Sequence, residues 1–492
     1  MALFRQFISV GLMTTLCQMS FANTLNTDLT TTVNELPLSS VSLLQSLRAP
    51  TAAQHIKVPV VEELYTAQNV RTLFSQTNHL PMVDIQLTFN AGSARDESIE
   101  KGLFGLAHLT AQLLNQGTAT QNTAEIAEAF AKVGAQYSAQ AQRDMLVIKL
   151  RVRSDERYLQ PALHQLIEVL TQANFPQDSI DRLFNNVSIG QKQIQENPSR
   201  SMGVRFYRSV YDKHPYAEPP TGTVGSLKKI KPEHLQAFHQ RYLVNNNLNL
   251  AITGDVNPQQ VEQIANQITA QLPLGERAPQ LIDAKSLTKA EVIVLPFNSS
   301  QAHVMIGQIG LKRHDPDRLA MEVGNEILGG SGFTSLLMQN LREKHGFTYG
   351  VSSSLSSLQS NGLLSLSYAT RQDQLLASIA EAYQTLFDFI EQPLDQQLVE
   401  MTKKSMLRSY PQYFSNNANL NSQLGAMGFY GLPTTHLSNY APDLQKLTAE
   451  DIQRVWRKYL QPERLLTVIA GKDVTVADVM QIYQKKSQTI TP

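Results

Sequence analysis

Cysteine is nearly missing from this chain: Cys17 is the only one in 492 residues, and it sits inside the first apolar run. A protein cut after residue 22 then has no thiol and forms no disulfide. An excess of one charge is missing too. The 42 basic residues match the 42 acidic ones, and no dense Lys/Arg run occurs, which argues against nucleic acid as a partner. After residue 22 no stretch reaches the roughly 20 apolar residues that span a bilayer. Disorder is also excluded, because 42% hydrophobic and 17% charged residues describe an ordinary globular chain. Its length exceeds a single core and predicts two or more domains.

The N-terminus reads as an export signal. Arg5 precedes an apolar run from Phe7 to Met19, and Ser20-Phe21-Ala22 offers small residues around a cleavage site. We expect residues 1–22 to be removed and the mature chain to start at Asn23, in the periplasm of a Gram-negative cell. Residues 23–54, rich in Ser, Thr, Leu and Pro, read as a leader arm. An internal repeat organises the remainder. Leu227 to Gly254 aligns without a gap on Leu444 to Gly471, pairing Glu233 with Glu450, Tyr242 with Tyr459 and Leu243 with Leu460. In each copy a helix feeds an apolar strand that stops at glycine. Two αβ halves follow, residues 55–271 and 290–492, with 272–289 as linker.

The first half contains Gly102-Leu-Phe-Gly-Leu-Ala-His-Leu-Thr-Ala-Gln112, with Leu103, Leu106, Leu109 and Leu113 at helical spacing and Gly117 where a helix can stop. Thr123 is expected to cap the next helix, with Gly134 just past its end. Residues 145–153 alternate as a strand with one buried face. Arg143-Asp144 reads as a turn pair, and Gly329-Gly330-Ser331-Gly332 as a flexible turn. His214 and His239 read as surface or structural residues, and His303 as a strand residue.

The stretch around His108 resembles the metal-binding helix of the pitrilysin/insulinase-type metallopeptidases, the family that includes the mitochondrial processing peptidases. Its frame there is Gly-Leu-Ala-His-x-x-Glu-His-x-x-x-x-Gly-Thr. Here His108 holds the first ligand position, Ala111 the place of the catalytic Glu and Gln112 that of the second His. Two His four residues apart on one helix face grip zinc, and the Glu takes a proton from the metal-bound water. Alanine accepts no proton, and an amide is a poor zinc ligand. In the family a downstream Glu is the third ligand. It falls near Val187-Ser188-Ile189-Gly190, yet residues 183–195 contain no Asp or Glu. The neighbouring Glu97, Glu100, Glu125 and Glu128 are poorly placed to substitute. The resemblance therefore implies a member without a catalytic residue or metal of its own.

The resemblance extends to His214-Pro-Tyr-Ala-Glu-Pro-Pro-Thr-Gly222-Thr and to the second half. There Leu341-Arg-Glu-Lys-His-Gly-Phe-Thr-Tyr349 is similar to a segment whose Arg and Tyr reach the substrate beside the zinc. By that likeness Arg342 and Tyr349 are the substrate-binding candidates. The implied fold is α+β: two homologous halves, each a mixed sheet with helices packed on one side, enclosing a cavity. The implied function is a non-catalytic, substrate-binding subunit of a periplasmic zinc endopeptidase. Its partner would be a zinc-bearing homologue or a second copy, and its substrate a peptide. The alternative is a peptide-binding or structural scaffold without a role in proteolysis.

Overall fold

The computed structural model describes residues 57–488; the signal segment and the leader arm lie outside them. Among the described residues eleven strands form two sheets. The first has the order β1-β2-β6-β3-β5-β4, built from Glu62–Tyr65, Arg71–Gln76, Met82–Phe89, Gln136–Ala141, Leu146–Arg153 and Leu248–Gly254 for β1 to β6 in chain order. The second has the order β7-β11-β8-β10-β9, from Glu291–Pro296, Gln301–Ile309, Val351–Ser356, Leu363–Arg371 and Leu466–Gly471. In each, one parallel pair (β2 with β6, β7 with β11) is followed by antiparallel neighbours. Apart from β1, the two orders correspond strand for strand. The duplication read from residues 227–254 thus runs through both halves.

The helices are α1 (Leu106–Leu113), α2 (Thr123–Lys132), α3 (Glu156–Gln172), α4 (Gln177–Glu196), α5 (Pro198–Tyr211), α6 (Pro232–Tyr242) and α7 (Pro258–Thr269) in the first half. The second half has α8 (Arg318–Asn325), α9 (Leu375–Glu391), α10 (Gln396–Ser409), α11 (Asn417–Phe429), α12 (His436–Lys446), α13 (Ala449–Tyr459) and α14 (Val476–Ser487). Each sheet buries one face under its own half's helices. Each second face receives a helix from the opposite half. Met202, Phe206 and Val210 of α5 pack on Leu466, Val468 and Ala470 of β11. Leu420, Leu424 and Met427 of α11 pack on Leu73 of β2 and Ala251 of β6. This exchange corrects the expectation of one buried face for residues 145–153: Met145 and Val147 are buried as well, beneath Phe429 and Tyr430.

Two local expectations also change. Asn122, not Thr123, caps α2: its side chain accepts from Ala124 N and Glu125 N, while Glu125 accepts from Asn122 N at 2.8 Å. The Thr123 hydroxyl instead donates to Gln116 O at 2.6 Å. Gly329 and Gly330 continue α8 as a wide π-type turn over Glu326–Gly330, so the glycine run leaves the helix only at Ser331.

Candidate functional site

Helix α1 is anchored by a residue the local pattern does not reveal. Asp96, 2% exposed, accepts from Gly105 N at 2.6 Å and Ala107 N at 2.8 Å. It thus satisfies two of the helix's orphan donors from outside the helix. Burial pushes its carboxyl well above the usual carboxylate range, with the two N–H donors opposing. The His-Pro-Tyr segment supplies the other support. Gly105 has φ 95°, and a side chain there would sit 2.9 Å from Thr221 O and 3.0 Å from Gly222 Cα. Ser226 Oγ donates to Phe104 O at 2.7 Å. Asp96→Ala is expected to cost about 2 kcal/mol, read as a lower urea midpoint together with faster amide exchange at Gly105 and Ala107. An unchanged exchange rate there would contradict this anchoring.

On α1 itself, Ala111 is buried in the core at 1% exposure. Gln112, on the exposed side, donates its amide N–H to Ala139 O of the edge strand β4 at 3.0 Å. The residue at the second ligand position is thus committed to the sheet edge. His108 is half-buried and its ring makes no hydrogen bond among the described residues; burial lowers its pKa. Helix α4 packs beside α1 and brings Ser188, whose buried hydroxyl has no partner among the described residues, to the region of the third ligand. The nearby carboxylates serve elsewhere: Glu97 accepts from Gly102 N, Glu100 faces His234 at 3.5 Å, Glu125 caps α2 and Glu128 pairs with Lys132. Among the described residues no group of three or more His, Cys, Asp or Glu side chains is placed to hold a metal ion. One imidazole, a committed amide and an alanine do not fit a catalytic zinc, which takes three protein ligands.

Arg342 and Tyr349 lie on the other half. Arg342 is half-buried on the helical segment Met338–Lys344. Tyr349 comes two residues before β9, the edge strand of the second sheet. The loop between them is pinned: Phe347 N donates to Leu341 O at 2.8 Å, Thr370 Oγ1 donates to Phe347 O at 2.7 Å, and the His345 and Phe347 rings stack. The Tyr349 side chain nevertheless stands 88% exposed and makes no hydrogen bond among the described residues. A phenol held in water by an ordered loop adds nothing to the core and is available to a ligand.

Of the other histidines read from the sequence, His214 and His239 are structural and His303 is a strand residue. His214 Nδ1 accepts from Tyr216 N, and its Nε2 lies 3.0 Å from Ile282 O. His239 Nε2 lies 2.7 Å from Leu170 O, and His303 is in β8. Asp144 does sit with Arg143 in the bend between β4 and β5, and it is also a buried carboxylate joining the halves. Tyr216 OH donates to its Oδ1. Tyr430 OH and Gln359 N donate to Oδ2 at 2.9 and 2.8 Å.

Two αβ halves with matching sheet orders, exchanged helices and a supported but altered metal helix define a metallopeptidase fold without its metal set. Residues 71–223 match the family description "Insulinase (Peptidase family M16)" and residues 229–406 match "Peptidase M16 inactive domain". The crystal structure of a peptidase M16 inactive domain from Pseudomonas fluorescens superposes with a TM-score of 0.80 at 32% identity, covering 84% of this chain and 98% of that one. An uncharacterized zinc protease of Rickettsia felis is 25% identical over 84% of this chain and 93% of that protein. The non-peptidase homolog YmxG of Helicobacter pylori is 26% identical over 78% of this chain and 87% of that protein. The chain belongs to the M16 (insulinase) peptidase family, as a non-catalytic member.

Proposed function

We propose that this chain is the substrate-binding, zinc-free subunit of a periplasmic M16 endopeptidase. It works beside a homologous chain, and that partner carries the zinc and cuts the peptide. One observation carries this reading: α1 holds Ala111 and Gln112 in place of base and ligand, while the second half keeps Arg342 and presents Tyr349 to solvent. A guanidinium and a phenol both donate to a peptide carbonyl or to the oxyanion that develops from it. An extended, unfolded peptide suits the exposed edge strands β4 and β9 by strand addition. Gln112 already occupies Ala139 O on β4, which favours the β9 edge beside Tyr349. The export signal read at residues 1–22 supports the compartment.

The test mixes this chain with a zinc-bearing homologue from the same organism. Arg342→Ala and Tyr349→Ala should each slow peptide cleavage by about tenfold or more, a loss of about 1.4 kcal/mol of transition-state stabilisation, while the complex stays assembled on size exclusion. Unchanged cleavage with assembly intact would favour the scaffold reading instead. Stoichiometric zinc and chelator-sensitive cleavage from the chain alone would overturn both.

A further inference from the structure

The described residues line an open pocket of about 340 Å³ between the end of α4, the start of α5 and the loop after Tyr216. Its walls are Ile194, Val204, Tyr207, Ala217, Pro219 and Pro220, and its polar groups are two arginines, Arg143 and Arg200. The Arg143 guanidinium is fixed. It lies 4.3 Å from the centre of the Tyr207 ring, and its Nη1 donates to Glu218 O at 3.4 Å. Neither arginine is ion-paired to a carboxylate among the described residues. The two acids nearby are engaged: Asp144 binds Tyr216, Tyr430 and Gln359 N, and Glu218 Oε2 is held by Arg208 at 2.7 Å. Arg200, in the first turn of α5, is exposed at the rim.

An apolar pocket with two guanidiniums, neither paired to a carboxylate among the described residues, is short of an anion. Its volume is at the small end for ligand pockets, room for a single large side chain and not for a folded partner. Guanidinium forks recognise a carboxylate by two parallel hydrogen bonds. We infer that this cavity binds an organic carboxylate with an apolar body, the chemistry shared by the C-terminal residue of a peptide and by a short fatty acid. This site is separate from Arg342 and Tyr349, and the inference stands without the subunit role.

Isothermal titration of the full chain decides it, with no partner present. The ligands are an acetylated tripeptide ending in leucine, the same peptide as its C-terminal amide, and octanoate. The acid should bind at least tenfold more tightly than the amide. Gly203 lines the cavity, and a side chain there meets nothing within 4 Å, so Gly203→Leu fills the space while favouring the helix. It should abolish binding, and Arg200→Gln should weaken it at least threefold. Octanoate binding that Gly203→Leu removes, without peptide binding, supports the site with a free acyl carboxylate as its ligand. Equal binding of acid and amide, indifference to both substitutions, or no binding by any of the three overturns it.

Discussion

Asp144→Ala is expected to lower stability by about 3 kcal/mol, roughly 1 for each of the three donors it leaves buried and unpaired. Tyr216 OH, Tyr430 OH and Gln359 N all converge on this carboxylate. Tyr430 follows α11 and Gln359 precedes β10, while Asp144 joins β4 to β5. Two of the three lost bonds, those from Tyr430 and Gln359, therefore join the two halves. Asp144→Asn keeps one of the two acceptor oxygens, and so some of these bonds, and should cost less, about 1 kcal/mol. Urea midpoints of the three proteins check the order. Equal midpoints for alanine and wild type would mean that the contact is idle.

The pH dependence has a definite sign. Burial raises the Asp144 carboxyl above its ordinary range, with the Tyr216, Gln359 and Tyr430 bonds opposing. The folded state thus holds this proton more tightly than the unfolded chain does. Its contribution is fully present below the unfolded pKa and is lost as pH rises through the folded one. Relative to Asp144→Asn, the wild type should gain stability as pH falls from neutral toward the carboxylate range. The same midpoints measured across that window show the slope.

Gly254→Ala and Gly471→Ala occupy equivalent places in the repeat and should behave very differently. Gly254 closes β6 with φ 144°, and an added Cβ would collide with Met82 O and lie 2.8 Å from Val83 Cα. Those atoms are backbone of β3, the antiparallel neighbour, and they yield only if the sheet opens. Overpacking and left-handed strain together are expected to cost about 3 kcal/mol or more. Gly471 has no positive φ, and its nearest neighbours are side chains, Ala302 Cβ at 3.1 Å and Gln372 Oε1 at 3.3 Å. Its substitution should cost under about 1 kcal/mol. Soluble yield and urea midpoint of the two variants separate them, and matched losses would refute the asymmetry.

These contrasts show what a linear reading reaches. The spacing of Leu103, Leu106, Leu109 and Leu113 located α1, because one helix face repeats every few residues. The register of Leu227–Gly254 on Leu444–Gly471 exposed the duplication, because both copies bury the same positions. The roles of Asp96 and Asp144 have no local signal because their partners are distant: nine and eleven residues on for Asp96, and for Asp144 Tyr216 further along the same half with Gln359 and Tyr430 in the opposite one. No local periodicity encodes such contacts. The capping of α2 was misplaced by one residue because Asn122 and Thr123 are both good caps, and only geometry separates them. The exchange of α5 and α11 was invisible for the same reason as Asp144. An amphipathic helix declares that it will be covered, not which sheet will cover it.

That exchange has a consequence for synthesis. A ribosome releases the strands of the first sheet more than a hundred residues before it makes α11. Until then Leu73 and Ala251, buried in the finished molecule, face solvent on an open apolar surface. The nascent N-terminal half must wait, unfinished and adhesive, for the last third of its own chain, a delay that chaperones are suited to cover.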